Sequence, residues 1–173
     1  MAKIDDIYDA VDDFGLITSA EAADLGMSRA EMVQQERMGR LVRVARGVYR
    51  MPVWPSQPQA PYAVAVKAAG DRAFLYGESV VALLELAPTD PSKIKLASPR
   101  RCRRNLGSGV TVKKMKGVEP VYLEGIACQP LPSAIIDAAK TMGADRAFEA
   151  ANEARVRGYI TKIDEDRIRE ELS

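Results

Sequence analysis

Two reciprocal helix-capping signals restrict this chain more than any other feature. Thr18 is followed three residues later by Glu21, and Ser28 is followed in the same way by Glu31. In such a capping box each side chain accepts a hydrogen bond from a backbone N–H that the first helical turn leaves unsatisfied. Gly26 stands between the two boxes, where a residue without a Cβ ends a helix at little cost. The spacing therefore predicts two short helices joined by a tight turn.

A β-ribbon is predicted directly after the second helix. Leu41–Val44 and Val48–Met51 read as strands, and Ala45-Arg46-Gly47 supplies a turn with glycine. Apolar residues at helical spacing between Ile4 and Phe14 predict a further helix before the first capping box. The order helix, helix, turn, helix, ribbon is typical of a winged helix-turn-helix, whose second motif helix enters the DNA major groove.

Charge is segregated within this region. Residues 1–27 hold one lysine against seven acidic residues, whereas residues 28–50 hold six arginines against two glutamates. The guanidinium group of arginine can donate two parallel hydrogen bonds to a phosphate or to the edge of a guanine base. Residues 28–50 are therefore the predicted DNA-contacting side. The candidate DNA-binding residues are Ser28, Arg29, Gln34, Arg37, Arg40, Arg43, Arg46 and Arg50. An ordinary solvated charged surface is the alternative interpretation.

Two apolar residues each have two possible roles. Val33 is assigned to the core of the winged domain, and a contact with a thymine methyl group is the alternative. Trp54 is assigned to packing between domains, and stacking on DNA is the alternative.

Prolines after Met51 predict a domain boundary. The predicted organisation is a winged helix-turn-helix over 1–54, a stiff proline-rich linker over 55–61, and an α+β domain over 62–173. The second domain is expected to hold a short, mostly antiparallel sheet. Its strands are predicted over 93–98, 110–115, 118–123 and 126–129, and its helices over 62–70, 78–86, 132–142, 145–157 and 164–172. The last helix is charged nearly throughout and is expected to lie on the surface.

A basic block runs from Lys93 to Val118 and contains no acidic residue. Its candidate contacts with a polyanion or partner are Arg100, Arg101, Arg103, Arg104, Lys113, Lys114 and Lys116. Lys93 and Lys95 are the other two of its nine cations. Such local charge repels itself and gains from exchanging counterions for a polyanion. Operator DNA, an acidic protein surface and RNA remain open as partners, and a solvated loop is the alternative.

The composition argues against catalysis. The chain contains no histidine, and its two cysteines, Cys102 and Cys128, do not form a metal-binding pair. The carboxylates form no recognisable catalytic motif, so neither an enzyme nor a cofactor is expected. No long apolar run or signal peptide is apparent, and a cytoplasmic protein without membrane contact is therefore expected.

The residues just described resemble the N-terminal domain of AbiEi-type antitoxins. The similarity lies in G-L-I-T-S-A-E-A-A-D-L-G-M-S-R-A-E (15–31) and most specifically in G-R-L-V-R-V-A-R-G-V-Y-R (39–50). The second domain is similar in layout. Its segment 124–139 resembles the family's G-I-x-x-T-x-x-R-T-L-x-D signature, although 129–133 lack the threonine and the arginine.

The resemblance implies the antitoxin of a bacterial type IV toxin–antitoxin and abortive-infection (phage-defence) system. Such a protein binds operator DNA, expected here to carry inverted repeats, and represses its own operon. It also counters a nucleotidyltransferase toxin, by contact with the toxin or through the toxin's RNA target. Apart from the resemblance, the residue pattern supports only operator binding and not the action against a toxin. A stand-alone winged-helix repressor with a ligand-sensing second domain is the alternative function.

Overall fold

The computed structural model describes residues 3–173. The chain divides into two compact units, one extending to Gly70 and the other beginning at Asp71. Both contain helices and β-sheet, so the predicted α+β class is confirmed. None of the helices in the described residues is long and apolar enough to cross a membrane.

The first unit contains four helices and three strands in the described residues. They are α1 (Lys3–Ala10), β1 (Leu16–Thr18), α2 (Ser19–Asp24), α3 (Arg29–Arg37), β2 (Val42–Ala45), β3 (Val48–Arg50) and α4 (Ala60–Ala69). Both capping boxes form as predicted. Thr18 Oγ1 accepts from the Glu21 N–H at 3.1 Å, and Ser28 Oγ accepts from the Glu31 N–H at 3.1 Å.

The three strands form an antiparallel sheet in the order β1-β3-β2. β1 was not predicted, because three residues that end directly at a helix cap show no periodicity. Helix α1 is also shorter than predicted. The Asp12 carboxylate accepts from the N–H groups of Phe14 at 2.8 Å and Leu16 at 3.0 Å, and this local turn replaces a further helical turn.

Apolar side chains from α1, α2, α3 and the sheet form the core of the first unit. The buried members are Ile4, Ile7, Ile17, Ala22, Met27, Met32, Leu41 and Tyr49. The two capped helices therefore lie on one core with the ribbon, and their outer sides remain available to solvent.

Helix α4 belongs to the first compact unit, although the sequence assigned it to the second domain. The Lys67 ammonium lies 2.8 Å from the Glu21 carboxylate and 3.6 Å from that of Asp12. Ala63, Ala65 and Ala68 are buried on the same helix. An apolar helix does not itself indicate which neighbouring core it joins, which is why the sequence misplaced it.

The proline-rich segment is anchored rather than free. The Trp54 indole N–H donates to the Asp13 carbonyl at 3.1 Å, and the Gln57 amide donates to the same oxygen at 2.9 Å. The indole covers Gly15, where φ is +72° and a Cβ would overlap the ring. Trp54 thus packs against Asp13 and Gly15 of its own unit.

The second unit contains a five-stranded sheet in the order β6-β5-β4-β8-β7 and helices α5–α8. The elements are β4 (Phe74–Leu75), α5 (Glu78–Leu83), β5 (Ile94–Ser98), β6 (Val110–Lys114), β7 (Val121–Leu123), β8 (Ile126–Cys128), α6 (Leu131–Met142), α7 (Ala144–Val156) and α8 (Lys162–Leu172). The central strand β4 has two residues and was not predicted.

The predicted mostly antiparallel sheet is wrong, because this sheet is evenly mixed. β5 pairs with β6 and β4 with β8 in parallel, whereas β4–β5 and β7–β8 are antiparallel. Parallel neighbours need a long crossover, and residues 99–109 supply one between β5 and β6. Because this crossover contains no helix, the parallel pairing could not be predicted from the sequence pattern.

Helix α8 does not merely lie on the surface as predicted. Ile168 is fully buried, and the Glu165 side chain is buried against three cations. Arg155 Nε forms a close ion pair with Glu165, Arg169 lies at 3.3 Å and Lys162 at 3.6 Å. Burial alone would raise the pKa of Glu165, but the hydrogen bonds from Arg169 and Arg155 and the charge of Lys162 lower this pKa below its usual 4.5.

Glu165→Gln is expected to lower the free energy of unfolding by about 2 kcal/mol at pH 7, because it leaves the cations without their shared carboxylate. A carboxyl with a lowered folded-state pKa stabilises the protein above its unfolded pKa. The difference between wild type and variant should therefore shrink as the pH falls below about 4.5. Urea unfolding at pH 7 and pH 3.5 measures this. Glu170→Gln, on an exposed position of α8, is the control. Equal effects of the two substitutions would contradict the assignment.

Candidate nucleic-acid interface

Helix α3 presents one face to solvent and one to the core. Met32 is fully buried and fixes the helix on the first unit. Arg29, Val33 and Arg37 follow one another at four-residue intervals and are exposed, and Gln34 lies beside them on the exposed side. An exposed, amide- and guanidinium-bearing helix face has the donors and acceptors that base edges require.

Val33 is exposed, so its predicted place in the core is wrong. Its side chain retains 37% of its exposure, and Met32 alone of this pair enters the core. Two adjacent apolar residues cannot both face the same side of a helix, since each residue turns the chain by 100°. This geometry requires that only one residue of the pair Met32 and Val33 is buried, but the sequence does not indicate which of the two it is.

The ribbon carries its arginines outward. Arg43 on β2 and Arg46 at the turn are exposed. Gly47 has a φ of +71°, which lets the two-residue turn close, and its carbonyl accepts from the Ser19 N–H at 2.9 Å. This hydrogen bond ties the tip to the start of α2, so Arg46 projects from an anchored turn.

Two further candidates lie just before β2 and at the end of β3. Arg40 is exposed, and its carbonyl accepts a hydrogen bond from the Tyr8 hydroxyl at 2.8 Å, which anchors the backbone there to α1. Arg50 differs from the other arginines because it is half-buried and its Nε donates to the Met51 carbonyl at 3.3 Å.

Acidic side chains of the described residues do not neutralise the exposed arginines of the first unit. Within the described part of the chain no ion pair involves any of them: Arg29, Arg37, Arg40, Arg43 and Arg46. Glu31, near the start of α3, is instead held by Lys3 at 3.1 Å. Ser28 is exposed but its hydroxyl already caps α3. The result is a concentration of positive charge around α3 and the ribbon, which favours contact with a polyanion.

The basic block of the second unit does not form one surface. Lys93 pairs with Asp90 at 3.7 Å, and Lys95 pairs with Glu78 at 3.1 Å. Lys113 and Lys114 are successive residues of β6 and therefore point to opposite faces of the sheet. The exposed arginines Arg100, Arg101, Arg103 and Arg104 lie in the crossover between β5 and β6, and Lys116 follows β6.

No histidine, cysteine, aspartate or glutamate side chains from residues 3–173 come together in a group of three that could hold a metal ion. Burial raises the pKa of the Cys128 thiol to about 12, so this cysteine is not a nucleophile at neutral pH.

The part of the chain from α1 to β3 is similar to a known family. Residues 6–52 match the family described as "Transcriptional regulator, AbiEi antitoxin". The predicted resemblance of the N-terminal segment to AbiEi-type antitoxins is thus confirmed over these residues. No curated protein matches the chain significantly.

Proposed function

We propose that this chain is a type IV antitoxin that binds operator DNA through a winged helix-turn-helix and represses its own operon. One observation carries the proposal: five exposed arginines without ion-pair partners in residues 3–173 surround the exposed face of α3 and the ribbon turn. The family match over 6–52 supports the regulatory class.

In this proposal α3 is the recognition helix and lies in the major groove. Arg29 at its first turn and Gln34 further along can hydrogen-bond base edges, and Val33 can contact a thymine methyl group. Arg43 and Arg46 bind phosphates or enter the minor groove beside the ribbon. The acidic residues of α1 then lie away from the DNA, in line with the segregation of acidic and basic residues in the sequence.

The second unit is proposed to counter a nucleotidyltransferase toxin and to perform no catalysis of its own. The basic crossover, Arg100–Arg104, supplies the charge for a polyanionic contact, and we favour an extension of the operator contact over binding to toxin or RNA. Co-expression with the neighbouring gene tests the antitoxin role: protection from a toxic nucleotidyltransferase supports it, and its failure would contradict it.

A stand-alone repressor that senses a small ligand is the second candidate. A cavity lined by charged side chains in the second unit favours it. The two functions are distinguished by the presence or absence of a nucleotidyltransferase gene directly downstream.

Gln34→Ala should relax the preference for one base pair of the operator by about 1–3 kcal/mol, because it removes a bidentate base contact. Val33→Ala should reduce discrimination for thymine at a neighbouring position. Both positions are exposed on a helix, so the fold should not change. Fluorescence anisotropy with the chain's own promoter and with single-base variants of it measures the effect.

Val53→Ala is the matched control for Val33→Ala, because Val53 is 89% exposed in the same unit but lies outside α3 and the ribbon. It should leave every affinity unchanged. Unaltered base preferences in both α3 variants would remove α3 from the DNA interface.

A further inference from the structure

The second unit contains a cavity of about 90 Å³ that the proposed DNA contact does not use. It lies where Tyr76, Gly77 and Glu78 follow β4, with Lys95 and Lys113 from β5 and β6 and three residues of α6 around it. The lining contains three lysines and two carboxylates, so its formal charge is positive.

Both carboxylates are already satisfied by donors from the protein. Glu78 accepts from Lys95 Nζ at 3.1 Å, from Thr141 Oγ1 at 2.9 Å and from the Asp90 N–H at 3.3 Å. Burial alone would raise the pKa of Glu78, but these donors lower it, so the carboxylate stays charged and occupied.

The Asp137 carboxylate is held in the same way. It accepts from Gln129 Nε2 at 2.7 Å and from Lys140 Nζ at 3.2 Å. Gln129 is buried, and its amide oxygen accepts from the Gly77 N–H at 3.0 Å. This glutamine therefore fixes the turn at Gly77 relative to α6 and gives the cavity a preorganised wall.

Two donors at the cavity have no hydrogen-bond acceptor in the described part of the chain. Within residues 3–173 the Tyr76 hydroxyl makes no hydrogen bond, and Lys113 has no carboxylate partner. The Lys113 ammonium lies 5.9 Å from the centre of the Tyr76 ring, so both groups border the same space. Burial, and secondarily the charge of Asp137, raises the pKa of Tyr76, which keeps its hydroxyl protonated and able to donate at neutral pH.

We propose that this cavity binds the phosphate group of a small phosphorylated ligand, with Lys113 and the Tyr76 hydroxyl as its donors. An ammonium group is a strong point-charge partner for phosphate, and a protein hydroxyl adds a directed hydrogen bond. The carboxylates of Glu78 and Asp137 border the cavity and would repel the flanking phosphates of a polynucleotide. A terminal or free phosphate brings no such neighbours, so it fits the charge pattern better than a duplex backbone. This site does not depend on the proposed DNA binding.

Calorimetric titration of the full chain tests the proposal. The probes are inorganic phosphate against chloride at equal ionic strength, and adenosine 5′-monophosphate against adenosine. Lys113→Gln should weaken phosphate binding by about tenfold or more, since it removes a charge-assisted hydrogen bond. Tyr76→Phe keeps the ring and should cause a smaller loss. Lys114→Gln is the matched control, because it removes the same charge from the neighbouring residue on the opposite face of β6.

Saturable binding of phosphate that Lys113→Gln weakens and Lys114→Gln does not would support the site. Binding of inorganic phosphate but not of adenosine 5′-monophosphate would then indicate a site for free phosphate. Tighter binding of the monophosphate than of inorganic phosphate would indicate a phosphomonoester ligand. Equal loss in both lysine variants, or binding no stronger than that of chloride, would overturn the proposal. Weakened duplex binding in Lys113→Gln without any phosphate binding would also overturn it and assign Lys113 to nucleic acid.

Discussion

Replacing Arg40, Arg43 and Arg46 together by alanine should weaken operator binding on the order of 500-fold at 0.1 M salt, if all three contact phosphates. Each lost phosphate contact should make the slope of log affinity against log salt concentration shallower by about 0.9, or about 2.7 for the three. All three side chains are exposed and without internal ion pairs in the described residues, so the fold should be retained. Anisotropy titrations across a salt series, with circular dichroism for folding, measure both quantities.

The matched control removes three exposed arginines of the second unit, Arg72, Arg146 and Arg167. It changes the net charge equally but leaves α3 and the ribbon intact, so the salt slope should stay close to that of the wild type. Equal losses in both triple variants would mean that only net charge matters, and the ribbon would not be a specific phosphate-binding surface.

The parts of the fold that local chemistry determines were predictable from the sequence. Each capping box couples a side chain to a backbone N–H three residues away, so Thr18 and Ser28 indicated where α2 and α3 begin. The two-residue turn at Arg46 and Gly47 was equally local. The exposure of the arginines followed from their charge, which opposes burial.

Features that depend on distant parts of the chain were not predictable. β4 is two residues long and exists only because β5 and β8 pair with it on either side. Helix α4 joins the first unit through Lys67 and the acidic residues of that unit, which lie more than forty positions away. Amphipathic patterning reports that a helix has an apolar face but not which core receives it.

Among the candidate site residues, those close together in the sequence were also predictable, and those brought together by the fold were not. The arginines around α3 are close in sequence and were found as a cluster, whereas Val33 required the orientation of the helix. The cavity in the second unit brings Tyr76, Lys113 and Asp137 together from separate elements. The basic block drew attention to Lys113 as a cation, but only the strand alternation separates it from Lys114.

Gly109→Ala should destabilise the second unit far more than Gly107→Ala, although both glycines have positive φ. Gly109 has a φ of +81° and Gly107 one of +95°, so alanine at either position costs about 1–2 kcal/mol in backbone conformation. A Cβ added at Gly107 would have no heavy atom of the described residues within 4 Å, apart from those of Gly107 itself and its two chain neighbours. A Cβ added at Gly109 would overlap the backbone carbonyl oxygen of Ser92. A backbone oxygen cannot move aside as a flexible side chain can.

Relief of this overlap would have to move the start of β6, where the Gly109 carbonyl accepts from the Ile94 N–H at 2.8 Å. The parallel pairing of β5 and β6 begins at the same place, with Ile94 opposite Val110. We therefore expect Gly109→Ala to cost about 2–3 kcal/mol more than Gly107→Ala, as overpacking against a fixed backbone does. Urea unfolding of both variants, followed by far-ultraviolet circular dichroism, measures the difference. Equal destabilisation would show that backbone conformation alone, and not the close approach of Ser92, requires glycine at this end of β6.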